Sequence, residues 1–308
     1  MKWFLPAASD VAHRVNHVMF ALFVVTGFMA IAIALVILVF CLRYRRGAKV
    51  DRSNAPANKR WLEYTWTLTP LAIFLAFFAW GAVVYAGFYG RARGAMPVFV
   101  VGKQWMWRLE HANGRREIDE LHLPVGQKVR LVFATEDVIH SFYVPAFRIK
   151  QDAVPGRYTE ITFTPTEVGT YEMHCTEYCG TDHARMGGRV YVMRDADFAR
   201  WLAEGGTRPT MAARGLEKFR RFGCSGCHDA HSTVHAPDLD GIYHRVVHLQ
   251  DGRTVVADEA YIRDSMLLPK RDVVAGYDPV MPSFQGQVSE EDILDIIAFL
   301  KSTRPEGR

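Results

Sequence analysis

Two long blocks without a charged residue break the pattern of apolar and polar positions. Residues 18–42 and residues 66–89 contain no Asp, Glu, Lys or Arg. Each block exceeds the ~20 residues that cross a bilayer as a helix. A soluble helix of that length, apolar on every face, would be unusual. The two blocks therefore predict an antiparallel transmembrane hairpin. The loop after the first block, residues 43–60, holds Arg43, Arg45, Arg46, Lys49, Arg52, Lys59 and Arg60 against a single acid, Asp51. The positive-inside rule places this loop in the cytoplasm, with the N-terminus and everything after residue 90 on the other side. Trp61, Trp66, Trp80, Tyr85 and Tyr89 suit interfacial belts or helix packing. Pro70 is expected to kink or begin the deep part of the second helix. Residues 1–17 are short and mixed and show no cleavage pattern, so no signal peptide is expected.

From residue 96 to 200 the pattern changes to short apolar or alternating runs, at 97–101, 128–134, 158–164 and 188–193, separated by Gly, Pro and Asn turns. These predict a Greek-key β-sandwich. Residues 201–213, with Gly205, Gly206 and Pro209, read as a linker. Beyond it the period becomes helical, over 215–222, 258–268 and 289–301. The last run carries a capping signal, Ser289 with Asp292, and Ile293, Ile296, Ile297 and Leu300 at helical spacing.

The 308 residues have room for two soluble domains beside the hairpin. The net charge of +4 is small and concentrated in the basic loop, which excludes a nucleic-acid footprint. Of five cysteines, four fall in two motifs. Cys41, inside the first apolar block, reads as an inert thiol.

The first motif is Cys-Thr-Glu-Tyr-Cys-Gly-Thr-Asp-His-Ala-Arg-Met, residues 175–186, with His140 upstream in His-Ser-Phe-Tyr-Val-Pro. Thiolate, imidazole and thioether are soft to borderline ligands and favour copper over magnesium or calcium. On spacing alone three other readings stay open: a disulfide, a structural zinc site with His140 and His183, or free core thiols. Neither a disulfide nor zinc needs Met186. The second motif, Cys224-Ser-Gly-Cys227-His228, is that of covalent c-type haem attachment. A thioredoxin-like C-x-x-C would not need His228 and would want a βαβ setting. Met281, in Met-Pro-Ser-Phe, is the chosen sixth haem ligand. Met266, in an expected helix, is the other methionine in range. His231, His235, His244 and His248 are surplus histidines, and ligation of the iron by one of them is the alternative to Met281.

The first motif, with Lys150-x-Asp152-Ala-x-Pro-Gly-Arg157, resembles the copper A site of cytochrome c oxidase subunit II. The resemblance implies a cupredoxin-like sandwich and a binuclear centre of two coppers bridged by Cys175 and Cys179. His140 and His183 would each cap one copper. Met186 and the backbone carbonyl of Glu177 would be weak outer ligands, and the Glu177 side chain would help hold magnesium at the subunit I interface. Asp152 and Arg157 read as structural groups. Glu63 alone reads as an interfacial carboxylate. Its surroundings, Glu-Tyr-Thr-Trp-Thr-Leu-Thr-Pro, are similar to the family motif at the mouth of a proton channel, which makes it a proton-entry residue. Trp105, in Gly-Lys-Gln-Trp-Met-Trp, reads first as aromatic packing. The family places an electron-entry tryptophan there, although many members have tyrosine where this chain has Met106.

The C-terminal region is similar to class I cytochrome c, with Ala236-Pro237 where many such domains have Gly-Pro. The whole resembles subunit II of a haem–copper oxidase with a fused cytochrome c domain. The expected domains are a hairpin over 1–94 (spans about 18–42 and 66–89), the copper domain over 95–200, the linker over 201–213 and the all-α cytochrome domain over 214–308. The resemblance implies one covalent haem c, subunit I and subunit III as partners, a small donor such as a cytochrome c, and a bacterial-type plasma membrane with both metal domains outside. Electrons would pass from donor through haem c and copper A to subunit I, for oxygen reduction coupled to proton translocation. The rivals are an electron-entry subunit of a nitric oxide reductase, a quinol-oxidase-type subunit lacking copper ligands, and a free membrane-anchored carrier.

Overall fold

The computed structural model describes residues 6–50, 60–88, 94–204, 209–229, 232 and 234–303. Asp51, Arg52 and Lys59 of the basic loop, Tyr89, Gly205 and Gly206 of the expected linker, and His231 lie outside the described residues.

Helices α1 (Asp10–Arg43) and α2 (Arg60–Ala86) form the hairpin. Both are long and apolar enough to cross a membrane. Their large side chains, such as Phe28, Phe74 and Phe78, point outward, as lipid-facing positions must. Pro70 lies inside α2 and does not begin it. The N-terminal stretch that reads as mixed sequence has a structural role. Ser9 caps α1 by accepting from the Ala12 N–H at 3.0 Å, and its hydroxyl donates to the Phe147 carbonyl at 2.8 Å. Ala8 and Val11 join the core of the β-domain, and Phe88, just past α2, packs against the same core. Both ends of the hairpin are thus anchored in the sandwich.

The sandwich is built from β1 (Met96–Lys103), β2 (Met106–His111), β3 (Arg116–Ile118), β4 (Glu120–Pro124), β5 (Val129–Thr135), β6 (His140–Val144), β7 (Ile149–Ala153), β8 (Thr159–Phe163), β9 (Gly169–Cys175) and β10 (Gly187–Met193). One sheet has the order β3-β2-β1-β5-β8 and the other β4-β10-β9-β6-β7. The pairs β1·β5 and β4·β10 are parallel, so the chain crosses between sheets rather than meandering. The inner faces supply the core, with Trp107, Phe133, Phe142 and Leu131 fully buried.

In the first sheet the outer face is buried too. Val98 and Val100 point into the sandwich, whereas Phe99 and Val101 point outward into a separate cluster with Val132, Ala134, Met211 and Leu294. Period-2 alternation puts successive residues on opposite faces. An uninterrupted Val-Phe-Val-Val run therefore marks a strand covered on both sides. Its cover is the C-terminal domain.

Helix α3 (Asp195–Glu204) follows β10, and α4 (Met211–Arg221) begins with Thr210 as cap. Helix thus occupies both ends of the expected 201–213 linker. The short α5 (Ser225–His228), the hairpin β11 (Val246–His248) with β12 (Thr254–Val256), α6 (Glu259–Leu267) and α7 (Glu290–Ser302) complete the domain. Ser289 and Asp292 form the full capping box that the sequence announces. Helices α4 and α7 cross at Gly215, where a Cβ would lie 1.9 Å from the Asp295 carbonyl oxygen. Only glycine allows that approach.

Candidate metal centre and haem cavity

Strand pairing brings the sulfur and nitrogen groups together. Phe142 of β6 pairs with Cys175 at the end of β9, which sets His140, two residues earlier, beside the start of the cysteine loop. The loop is closed by Cys175 N–H donating to the Met186 carbonyl at 2.9 Å, and it is tied to β6 by Thr176 N–H donating to the Ser141 carbonyl at 2.9 Å. The Ser141 hydroxyl in turn donates to Asp152 at 2.6 Å. A 3₁₀ turn at His183–Arg185 then presents His183 and Met186 to the same point.

The two thiols are 3.8 Å apart, Cys179 Sγ is 3.5 Å from His183 Nδ1 and 3.7 Å from Met186 Sδ, and Cys175 Sγ is 3.3 Å from the Glu177 carbonyl oxygen. Ligand atoms of His140, Cys175 and Cys179 lie within 4.8 Å of one another, all three residues buried. The thiols are free. His140 Nε2 donates to Asp137 Oδ1 at 2.8 Å, and its Nδ1 is buried without a hydrogen-bond partner. Buried polar atoms are rarely left unpaired. An imidazole nitrogen that its carboxylate partner turns towards two thiols, and that becomes a ligand on losing its proton, is the arrangement that a metal satisfies. The residues present therefore fit a copper site. The Glu177 carbonyl faces the cluster, while its side chain is exposed.

Charge in the pair is divided unequally. Burial raises Cys175, but neighbouring His140 and backbone groups of Ser141 and Glu177 bring it down to about 6. Burial and the Cys175 charge push Cys179 up to about 12. At neutral pH the metal-free pair holds one thiolate and one thiol, and ligation of both requires loss of the second proton.

Further residues support the cluster from behind. The Asp137 carboxylate is fixed by N–H donors of Gln104 and Val138 at 2.8 and 2.7 Å. The Gln104 side chain and the Trp105 indole both donate to the Cys179 carbonyl, at 2.8 and 3.2 Å. Trp105 is half-buried and packs over Gly180, whose φ of +118° and tight surroundings exclude a side chain. A Cβ on Gly102 would sit 2.8 Å from His140 Cδ2. Trp107 meets the same imidazole edge-on at 5.8 Å between ring centres. Asp137 had no sequence signal, and Gly102 opens the aromatic motif without any sign of its contact with His140, because both roles arise from strand register.

The second motif lines a cavity of ≈ 300 Å³ in the C-terminal domain, with Cys224, Cys227, His228, Met266 and Met281 in its walls. His228 Nδ1 donates to the Pro237 carbonyl at 2.8 Å, which leaves Nε2 as the nitrogen that could ligate. The Ala236-Pro237 departure thus preserves the hydrogen bond that orients the histidine. Met281 is half-buried on a loop, whereas Met266 is a core residue of α6. Among the surplus histidines that are described, His235 lines the cavity and stacks on Tyr277, while His248 bonds Thr254 on the β11–β12 hairpin and His244 packs against Tyr243. Glu63 is not near either centre. It lies exposed in the first turn of α2, about 35 Å of helix from the end that enters the sandwich.

Residues 109–192 match the family model of the cytochrome c oxidase subunit II periplasmic domain, and residues 212–304 match that of cytochrome c. An alternative cytochrome c oxidase subunit 2 of Bradyrhizobium diazoefficiens is 28% identical over 243 residues, covering 69% of this chain and 87% of that protein. Cytochrome c oxidase subunit 2 of Alkalihalophilus pseudofirmus is 27% identical over 301 residues, 91% of this chain and 84% of the relative. The crystal structure of the periplasmic domain of oxidase subunit II from Bradyrhizobium japonicum is 30% identical, covering 37% of this chain and 95% of that one, with a TM-score of 0.36.

Proposed function

The chain belongs to the cytochrome c oxidase subunit II family, in the form that carries a C-terminal cytochrome c domain, and from this we propose how its parts are used. Electrons arrive from a small external donor at a haem c bound by Cys224, Cys227 and His228, with Met281 as sixth ligand. They pass to two coppers held by His140, Cys175, Cys179, His183, Met186 and the Glu177 carbonyl. They leave for subunit I, where oxygen is reduced. The observation that carries this reading is the convergence of His140 Nδ1, two free thiols, His183 and Met186 at one point, in a chain that also holds a haem cavity. The two thiols, two imidazoles and thioether would hold a copper pair, which would supply one-electron transfer without bond-making.

The two apolar helices anchor the chain, and the basic residues between them orient both metal domains to the extracytoplasmic face. The exposed Glu177 carboxylate is suited to a hard cation, magnesium, completed by subunit I. Subunit III is the further partner.

The test is purification through a tag on this chain. A multi-span, haem-bearing partner is expected, with two coppers per haem c and a paramagnetic signal split by both copper nuclei. A single zinc, or a Cys175–Cys179 disulfide without copper, would overturn the reading. Copper rather than iron beside the partner's active-site haem separates an oxidase from a nitric oxide reductase.

Glu63, at the cytoplasmic mouth of α2, is the proton-entry residue. Glu63→Ala should slow oxygen turnover of the assembled complex several-fold, less than the ~10²–10⁴ of a group that transfers a proton in the transition state, because water can partly replace an exposed carboxylate, and should leave both metal spectra unchanged. Unchanged turnover over a pH series would remove Glu63 from the proton path.

A further inference from the structure

The haem domain does not hang on a tether. It is docked on the outer face of the first sheet, and two sets of ion pairs flank the apolar contact. On one side Arg108 of β2 pairs with Glu291 of α7 at 3.0 Å and also contacts Glu136. Arg214 of α4 bridges Asp295 of α7, at 2.6 Å, and Glu110 of β2. On the other side Arg130 of β5 pairs with Glu259 of α6 at 3.0 Å, and Lys301 of α7 holds the same carboxylate at 2.7 Å. Burial raises Glu259, but Lys301 holds it down to about 2, so this carboxylate stays charged through the physiological range. Arg263 of α6 donates to the Gly156 carbonyl of the β7–β8 loop at 2.9 Å.

Between these networks lies the apolar contact, beside a cavity of ≈ 180 Å³ that Phe99, Val101 and Leu294 help to line. Helix α7 has two apolar faces. Ile296 and Leu300 line the haem cavity. Leu294, with Ala298 beside it, packs against Val101, Phe99 and Ala134 of the sheet. Val101 and Gly102 are consecutive in β1 and so face opposite ways. Val101 meets the haem domain, and Gly102 is the position where the copper ligand His140 leans against the strand. Helix α7, its apolar contact with β1 and one peptide unit of β1 therefore lie between the haem cavity and the His140 imidazole. Trp105 approaches the copper loop elsewhere, at Gly180 and the Cys179 carbonyl.

We infer that electrons pass from haem to copper with the cytochrome domain in this docked position, through α7 at Leu294, across β1 at Val101–Gly102, and into the centre by way of His140. Arg108, Arg130 and Arg214 are positioning residues for that step. The inference rests on the electron-entry reading. One electron leaves ferrous haem and one is gained by the oxidised copper pair, with no proton or bond changed. Tunnelling falls steeply with separation, and a rigid contact holds the separation constant. A glycine at 102 removes the side chain that would otherwise push the imidazole away.

The test uses the assembled oxidase with both centres loaded. Haem c is photoreduced, and its reoxidation is followed together with the near-infrared absorbance of the copper pair. The double variant Arg108→Glu/Arg130→Glu sets acid against Glu136, Glu291, Glu160 and Glu259. Haem-to-copper transfer should slow by about tenfold or more, as small misplacements of reacting groups do. Direct reduction of copper by a small photoreductant should keep its rate, which shows an intact centre. In the metal-free chain, amide exchange along β1 and α7 should quicken. Adding Glu291→Arg and Glu259→Arg should restore a large part of both the rate and the protection, which separates a loosened contact from a misfolded chain. A double variant with quickened exchange and an unchanged transfer rate overturns the inference and leaves the electron-entry reading standing. Absence of any haem-to-copper transfer in the unaltered oxidase overturns both.

Discussion

Replacing Cys175 or Cys179 by serine should yield a chain that takes up no paired copper and keeps an unaltered haem c spectrum. A hydroxyl in place of either thiol cannot act as a bridging thiolate. Its proton is held far above neutral pH, and its oxygen is hard where the partners, Met186 Sδ at 3.7 Å and His183 Nδ1 at 3.5 Å from Cys179, form a soft to borderline set. The loss should be equal at both positions although the thiols differ when metal-free, Cys175 near 6 and Cys179 near 12, because a bridge needs both sulfurs. The fold should survive. The substitution is nearly isosteric, and a buried hydroxyl costs about 1–3 kcal/mol here at most. It also sits at a loop held by the Cys175–Met186 and Thr176–Ser141 backbone bonds, which do not use the sulfurs. The haem cavity lies beyond α7 and shares no wall residue with the copper loop. Metal analysis and paramagnetic resonance beside the visible haem spectrum check this. Two coppers retained in either variant would refute the ligand set.

The hairpin, the sandwich and both ligand motifs could be read from the sequence because each leaves a local trace. Uncharged runs mark spans, alternation marks strands, and Cys-x-x-Cys-His is contiguous in the chain. The capping box at Ser289 and Asp292 is equally local, and it formed as the sequence announces. What could not be read depends on register between distant segments. Asp137 and His140 are three residues apart, yet only the fold shows that the carboxylate takes Nε2 and leaves Nδ1 to face the thiols. Residues 8–12 read as a mixed terminus, and only their contacts with Phe147 and Pro165 reveal them as part of the β-core. The docking of the haem domain had a trace that is plain in retrospect. Phe99 and Val101 alternate with Val98 and Val100, so the outer face of β1 is as apolar as the inner one and had to be covered. Arg108, Glu110 and Arg130 on the same face carry no local sign of pairing, because their partners Glu291, Arg214 and Glu259 lie at least about a hundred residues away in sequence.

Substituting Asp295 is the second change with a large expected effect, and it acts through charge left without a counterpart rather than through ligation. Asp295 is fully buried in α7. Its carboxylate accepts from Arg214 Nε at 3.0 Å and Nη2 at 2.6 Å, and from Lys218 at 2.6 Å, with Arg116 of the β-domain 3.9 Å away. Asp295→Ala leaves two mostly buried cations with reduced compensation, and removing one member of such a group costs about 3–5 kcal/mol. Arg214 keeps Glu110, and Lys218 keeps Asp292 at 2.8 Å, so the lower end of that range, about 3 kcal/mol, is expected. For a domain of this size that lowers the unfolding midpoint by more than about 10 °C. Unfolding followed at the haem band should shift by that amount. Asp295→Asn, which keeps acceptor geometry without charge, should lie between the two proteins. The haem domain should also become easier to detach, because Arg214 spans both domains. Amide exchange at β1 should therefore quicken in Asp295→Ala even below the unfolding transition. A midpoint within a degree or two of the unaltered chain would mean that the cations are satisfied by Glu110 and Asp292 alone, and that Asp295 is a bystander in a contact held by its apolar centre.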